Sequence, residues 1–165
     1  MLPEAWRRSY QDWMPSLSDH HFTFDLDRGI RDQLIEKFET VPHSALAKGV
    51  GPPESGIYQL FFKGELVYIG KATKTFTKSK RTLRGRLGEH RIKVQKSGAL
   101  PLEEFTVKFV TFDSDWWVIA GEVALIRHIE PAWNSSGFGS KTPGSGRPGT
   151  DRVSKFDAIV KDVIT

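Results

Sequence analysis

The sequence predicts an α+β fold: a small three-stranded antiparallel sheet flanked by helices, set between N- and C-terminal extensions. Three observations predict it. A hairpin pattern with a two-residue connection occupies residues 56 to 70. An alternating run, EFTVKFVTF, follows at 104 to 112, as a half-buried strand should. Helical apolar stripes then fall before, between and after these strands, giving the core order β-β-α-β-α.

At 165 residues the chain is long enough to bury a real core as one domain. Its 38% hydrophobic and 27% charged residues are ordinary for a globular protein. It has no cysteine, so neither disulfides nor thiolate metal sites hold it, and a reducing compartment is compatible. No apolar run approaches the ~20 residues of a membrane span. MLPEAWRRSYQDWM lacks the apolar centre of a signal peptide, so a cytoplasmic location is expected.

Taken in order, Trp6, Tyr10 and Trp13 fall at helical spacing, and HFTFDL (21 to 26) alternates like a short strand. GIRDQLIEKFET carries Ile30, Leu34, Ile35 and Phe38 on one helical stripe. Pro42 and GVGPPESG (49 to 56) break the chain before the hairpin. Its strands are expected near 56 to 62 and 65 to 70, joined by Lys63-Gly64. Residues 80 to 97 read as a helix with Leu83, Leu87 and Val94 on one side; Gly85 and Gly88 each oppose it by ~1 kcal/mol. After the third strand, DSDWWVIAGEVALIRHIE offers acidic capping residues, an apolar stripe and a stop at Pro131. NSSGFGSKTPGSGRPG (134 to 149) is almost all turn-forming, and SKFDAIVKDVI closes with an amphipathic pattern.

Charge is unevenly spread. Lys71, Lys74, Lys78, Lys80, Arg81, Arg84, Arg86, Arg91, Lys93 and Lys96 face one acid, Glu89, between residues 71 and 96. That segment is +9 and the rest of the chain −5, within a total of +4. Such a stripe is either a solvated basic face or the footprint of a polyanion.

Chemistry must decide between them, and Glu122 is informative. Its helical neighbours are Val118, Ile119, Leu125 and Ile126, all aliphatic. A carboxylate so placed is desolvated and needs a compensating cation, either an arginine or lysine or a metal. The first strong cations are in the basic helix, where Arg86 and His90 lie four apart on one face. Arginine binds phosphate oxygens bidentately, and histidine or tyrosine can move a proton. Together with Tyr58 and Tyr68 of the hairpin, they match a phosphate site better than a packed surface.

GIY (56 to 58) and YIG (68 to 70), then YIGKA, RLGEH with Arg86 and His90, and EVALIRHIEPAWN with Glu122, Pro131 and Asn134, resemble the GIY-YIG nucleases. The ordered match covers residues 56 to 134, about half the chain. The surroundings resemble the type II restriction endonuclease branch, and the segment after Asn134 is similar to one in members that cut GC-rich palindromes. KATKTFTKSKRTLRGR makes the link to Arg86 longer than in compact members, so Arg84 is its alternative. The resemblance implies one domain: an N-terminal extension (1 to 54), the GIY-YIG catalytic core (55 to 134), and a glycine-rich loop with a C-terminal helix (135 to 165).

It further implies sequence-specific hydrolysis of double-stranded DNA, with one Mg2+ on Glu122 and Mn2+ as a possible substitute. Arg86 would neutralise the non-bridging phosphate oxygens. Tyr58 is the first choice to receive the proton of the attacking water, with Tyr68 or His90 competing. Lowering a phenol from about 10 to neutrality takes about 4 kcal/mol, which the basic segment, Lys71 first, is expected to supply. Asn134 would hold a tyrosine hydroxyl or shape the pocket. Lys74, Lys78, Lys80, Arg81, Arg84, Arg91 and Lys93 should meet phosphates, and Lys141, Ser145 and Arg147 the bases. A palindromic site implies a homodimer, for whose interface Trp6, Tyr10 and Trp13 are candidates alongside core packing. A restriction enzyme also implies a cognate DNA methyltransferase in the host. The rival readings are a repair or mobile-element nickase and a DNA-binding module without cleavage.

Overall fold

The computed structural model describes residues 25–75, 81–136 and 138. Trp6, Tyr10, Trp13, Lys78, Lys80, Lys141, Ser145, Arg147 and the closing amphipathic segment lie outside the described residues.

In chain order the elements are α1 (Leu26–Thr40), β1 (Ser44–Ala45), β2 (Gly56–Phe62), β3 (Glu65–Ala72), α2 (Leu83–Ser97), a 3-10 turn (Leu102–Glu104), β4 (Phe105–Thr111) and α3 (Asp115–Ile129). The sheet is antiparallel, in the order β1-β4-β2-β3. The expected α+β core is therefore present, with one correction: the sheet has four strands, not three. β1 pairs only Ser44 with Val107 and Ala45 with Thr106. Two residues carry no readable period, so this edge strand left no trace in the sequence pattern. The strand expected over 21 to 26 also fails at its C-terminal end, where Asp25 caps α1 through its side chain on Arg28 N and Leu26 opens the helix.

The hairpin turns on Lys63 (φ 51) and Gly64 (φ 82), both in the left-handed region that a tight two-residue connection requires. A register shift between Leu60 and Phe61 lets Leu60 pair with Tyr68 while Phe61 pairs with Leu66. Strand alternation then sorts side chains to two faces. Tyr58, Leu60, Tyr68, Phe105 and Val107 pack with Leu83, Leu87 and Val94 of α2. Ile57, Ile69 and Val110 pack with Leu34 and Phe38 of α1 and with Val118 and Leu125 of α3. Both faces are covered, so β2 is buried from Gly56 through Leu60.

α2 begins at Leu83 behind Thr82, whose hydroxyl accepts from Gly85 N at 3.2 Å, and ends at left-handed Gly98. Gly85 and Gly88 cost about 2 kcal/mol between them. Leu83, Leu87 and Val94 are fully buried, at about 1.5–3 kcal/mol each. Packing wins, and it fixes which face of α2 meets the sheet. α3 approaches closely because Gly121 has no side chain: a Cβ there would meet Leu34 Cδ1 at 2.7 Å and Ile57 Cδ1 at 2.8 Å.

Candidate active site

The site wraps around the sheet edge formed by β3. On the α2 side, Tyr58 and Tyr68 have ring centroids 6.2 Å apart, and His90 lies 5.4 Å from the first and 5.3 Å from the second. Tyr58 Oη and His90 Nε2 share a hydrogen bond of 2.6 Å. Gly70 makes that geometry possible. A Cβ at Gly70 would stand 2.6 Å from Tyr58 Cζ and 2.7 Å from Tyr68 Cε1, inside both rings' contact distance. The glycine of YIG is thus the floor on which the two phenols lie.

Arg86 reaches the same cluster from one turn before His90. Its guanidinium lies against both phenols and pairs with Glu89 on the outer side of α2. Burial opposes its charge, but Tyr58, Glu89 and Tyr68 together hold its pKa above the usual value. Arg84 is exposed and donates from Nε to Gly51 O at 3.0 Å instead. The arginine at the tyrosines is Arg86.

The opposite side of β3 carries Lys71, next to Gly70, and the sheet's alternation sends its side chain toward α3. There Lys71 Nζ pairs with Glu122 Oε2. Glu122 is only 12% exposed. Its compensating cation therefore comes from β3, not from the basic helix. Its negative charge still reaches across the strand and raises both phenols' pKa values. The Asn134 amide ties down the free edge of the same strand: Nδ2 donates to Ile69 O at 2.8 Å, and Oδ1 accepts from Ile69 N at 2.9 Å. Expected either to hold a tyrosine hydroxyl or to shape the pocket by hydrogen bonding, Asn134 bonds to backbone and not to a hydroxyl.

The proton chemistry differs from expectation in one respect. Burial pushes the Tyr58 pKa well above the ordinary phenol value, helped by Tyr68 and Glu122 and opposed by Arg86. Burial likewise raises Tyr68, against the pull of Arg86. Desolvation outweighs the basic segment, and Lys71, which was to stabilise a phenolate, is engaged with Glu122. The phenols rest protonated at neutral pH. His90 moves the other way: burial first, then Arg86 and Lys93, lower it to about 3. It rests as a neutral imidazole, and the burial that keeps it neutral also makes it a weak base.

Of the residues expected to meet phosphates, several have partners inside the protein. Lys74 pairs with Glu54 at 2.6 Å, Arg81 with Glu89 at 3.5 Å, and Lys93 donates to Phe138 O. Arg91 lies half-buried on α2. Phe138 itself escaped the sequence reading. It is the one large apolar residue in a stretch of glycine and serine, which was the only signal available, and it stacks on His90. Trp133 was also missed; it is buried against Phe62, Phe105 and Phe138 and donates its backbone N–H to Val67 O.

With this geometry in hand, comparison with known proteins is decisive. The family model of the Eco29kI GIY-YIG domain matches residues 66–161, more than half of the chain. The chain belongs to this GIY-YIG family. No curated protein matches it. A GIY-YIG protein is an endonuclease, a hydrolase that acts on DNA, and nucleases of the family generally depend on a divalent metal. Among the described residues no helix is long and apolar enough to cross a membrane.

The residues fit a metal held largely by water and substrate. Among the described residues no group of three or more His, Asp or Glu side chains could cage an ion. Glu122 offers a single carboxylate, and the ammonium of Lys71 already occupies a cation's place upon it. A lone carboxylate suits a hard divalent ion that keeps much of its hydration shell.

Proposed function

We propose that this chain is a type II restriction endonuclease that hydrolyses double-stranded DNA at a GC-rich palindrome, with Mg2+ on Glu122 and Mn2+ able to substitute. The observation that carries the nuclease chemistry is the Tyr58–His90 hydrogen bond beside Arg86, with the Lys71–Glu122 pair on the opposite side of β3. The restriction reading draws on the family match continuing past Asn134 to residue 161, through the glycine-rich segment.

In the proposed mechanism the attacking water gives its proton to Tyr58 Oη as the Tyr58 proton passes to His90 Nε2. Neither partner is ionised beforehand, because burial holds the phenol up and the imidazole down. The transfer therefore runs in step with attack on phosphorus, with no standing phenolate. Arg86, kept charged, stabilises the negative charge that builds on the non-bridging oxygens. When bound, the metal supplies Lewis-acid stabilisation of the same phosphoryl group. Asn134 keeps β3, and so Tyr68 and Gly70, in place.

The remaining parts of the reading follow from this assignment. The protein is one domain, with an extension over 1 to 54, a catalytic core over 55 to 134, and a glycine-rich loop and helix over 135 to 165. It acts in the cytoplasm as a homodimer, beside a methyltransferase that protects the same site. Lys141, Ser145 and Arg147 read bases, while Lys74, Lys78, Lys80, Arg81, Arg84, Arg91 and Lys93 serve phosphates.

The test is digestion of one plasmid of known sequence in Mg2+ by wild type and by Glu122→Gln. Discrete linear fragments from wild type, and a loss of about 10²-fold or more in the variant, are expected. Open circles alone would favour a nickase, and binding without cleavage a recognition module. Equal turnover of the two proteins would remove Glu122 as the metal ligand.

A further inference from the structure

Phe138 is 1% exposed, although the sequence around it, SSGFGS, is built from residues that favour surface turns. A ring buried from such a segment needs a prepared seat, and four side chains provide it. The His90 imidazole is stacked on it, centroids 4.7 Å apart and planes 7° from parallel. Tyr68 meets it edge-on at 5.2 Å and 65°, and Trp133 closes another side at 5.2 Å. Lys93, three residues beyond His90 on α2, lies 4.9 Å from the ring centroid and donates to the Phe138 backbone oxygen.

Ring and backbone are thus both fixed against the helix that carries His90. Tyr58 takes the imidazole edge at Nε2, and Phe138 takes one face. We propose that Phe138 is a positioning residue for the nuclease reaction: a wall that holds the His90 imidazole on the Tyr58 hydroxyl and keeps water off it. The inference rests on the reading of Tyr58 and His90 as the proton path. It ties the glycine-rich segment, assigned above to DNA reading, to the chemistry.

The groups facing His90 are Arg86 and Lys93 from its own helix, Tyr58 from β2, Tyr68 from β3, and the uncharged Phe138. A phenyl face alone would favour imidazolium by cation–π attraction. Here burial and the two cations prevail, since His90 sits at about 3. Removing the wall reverses the balance, because water would solvate the imidazolium and the pKa would climb toward its ordinary ~6.5.

The experiment compares single-turnover cleavage by wild type, Phe138→Ala and Phe138→Trp between pH 7.5 and 5.5, with NMR titration of the His90 ring in the same proteins. At a pH one unit below its pKa only about one histidine in eleven is neutral, so the Ala variant should lose about tenfold more rate than wild type at pH 5.5. Phe138→Trp, which keeps a stacked ring, should restore the wild-type profile. Should Phe138→Ala fail to fold, Phe138→Thr gives the same readout, since its short side chain also removes the ring and leaves room for water at His90. A His90 that still titrates near 3 in a folded Ala or Thr variant would overturn the role of Phe138. A pKa that rises while the cleavage profile stays unchanged would instead overturn the Tyr58–His90 proton path.

Discussion

Replacing Gly70 by alanine adds one methyl group at the most crowded point of the site. The new Cβ would stand 2.6 Å from Tyr58 Cζ and 2.7 Å from Tyr68 Cε1, where carbon atoms need about 3.5 Å. Tyr58 is fully buried and cannot swing aside. Relief therefore takes a shift of ~1 Å in one ring or in β3. A shift of that size in Tyr58 stretches its 2.6 Å bond to His90 beyond hydrogen-bonding range. Overpacking costs about 1–3 kcal/mol, and the lost buried hydrogen bond about 1–3 kcal/mol more. Unfolding in denaturant should thus show Gly70→Ala to be destabilised by about 2–6 kcal/mol.

Cleavage should suffer beyond stability. With the proton path broken, the single-turnover rate on plasmid DNA should fall by about 10²–10⁴-fold, the usual worth of a general base. DNA binding in a gel shift should hold, because Gly70 is buried beneath the tyrosines and carries no charge. Tyr58→Phe supplies the control: it removes the hydroxyl without crowding, so its rate should match Gly70→Ala while its stability loss stays smaller. A Gly70→Ala protein that cleaves within threefold of wild type would refute the claim that this glycine sets the Tyr58–His90 geometry.

Arg86→Ala should reduce cleavage by about 10²–10³-fold while affinity for DNA changes only severalfold, because the guanidinium faces the two phenols more than solvent; parallel loss in digest and gel shift would make it a phosphate anchor. The lowered His90 pKa also predicts an acid-sensitive fold. The native ring stays unprotonated down to about 3, while the unfolded ring takes a proton below ~6.5, so stability must fall as pH drops through that window, by up to about 1.4 kcal/mol per pH unit. Denaturant titrations at pH 7, 6 and 5 should show that slope in wild type and a shallower one in His90→Gln; parallel slopes would mean that the ring is not held neutral.

Much of this architecture was legible because it depends on local period and turn chemistry. The Lys63-Gly64 connection announced the hairpin, and Leu83, Leu87 and Val94 announced the buried face of α2 despite two glycines. Knowing that face placed Arg86 and His90 toward the tyrosines, as the structure has them. What the sequence hid depends on non-local pairing. β1 is too short to show a period, and its partner lies 63 residues away at Val107. Asn134 pairs with the backbone of Ile69, which no side-chain pattern encodes. The charge count could not show the pairings within the segment for the same reason. Glu89 is one acid among ten basic groups, yet it engages both Arg81 and Arg86, and acids outside the segment take Lys71 and Lys74.

Those pairings bear on the proposed proton path through Tyr58 and His90, which lies beside a strongly basic segment. A cation near Tyr58 favours phenolate, but the same cation near His90 opposes imidazolium. Arg86 does both: it lowers Tyr58 and lowers His90. Had the stripe been left unpaired around the site, it would have eased the first proton transfer and penalised the second. Glu89 offsets part of the Arg86 charge on the outer side of α2, and Glu122 engages the Lys71 ammonium across β3. Glu122 also pushes Tyr58 upward, so any cation drawn to it relieves the phenol. A divalent ion on Glu122 would therefore act on Tyr58 electrostatically as well as on the phosphate. The resting phenol is held protonated by burial, by Tyr68 and by the Glu122 charge together.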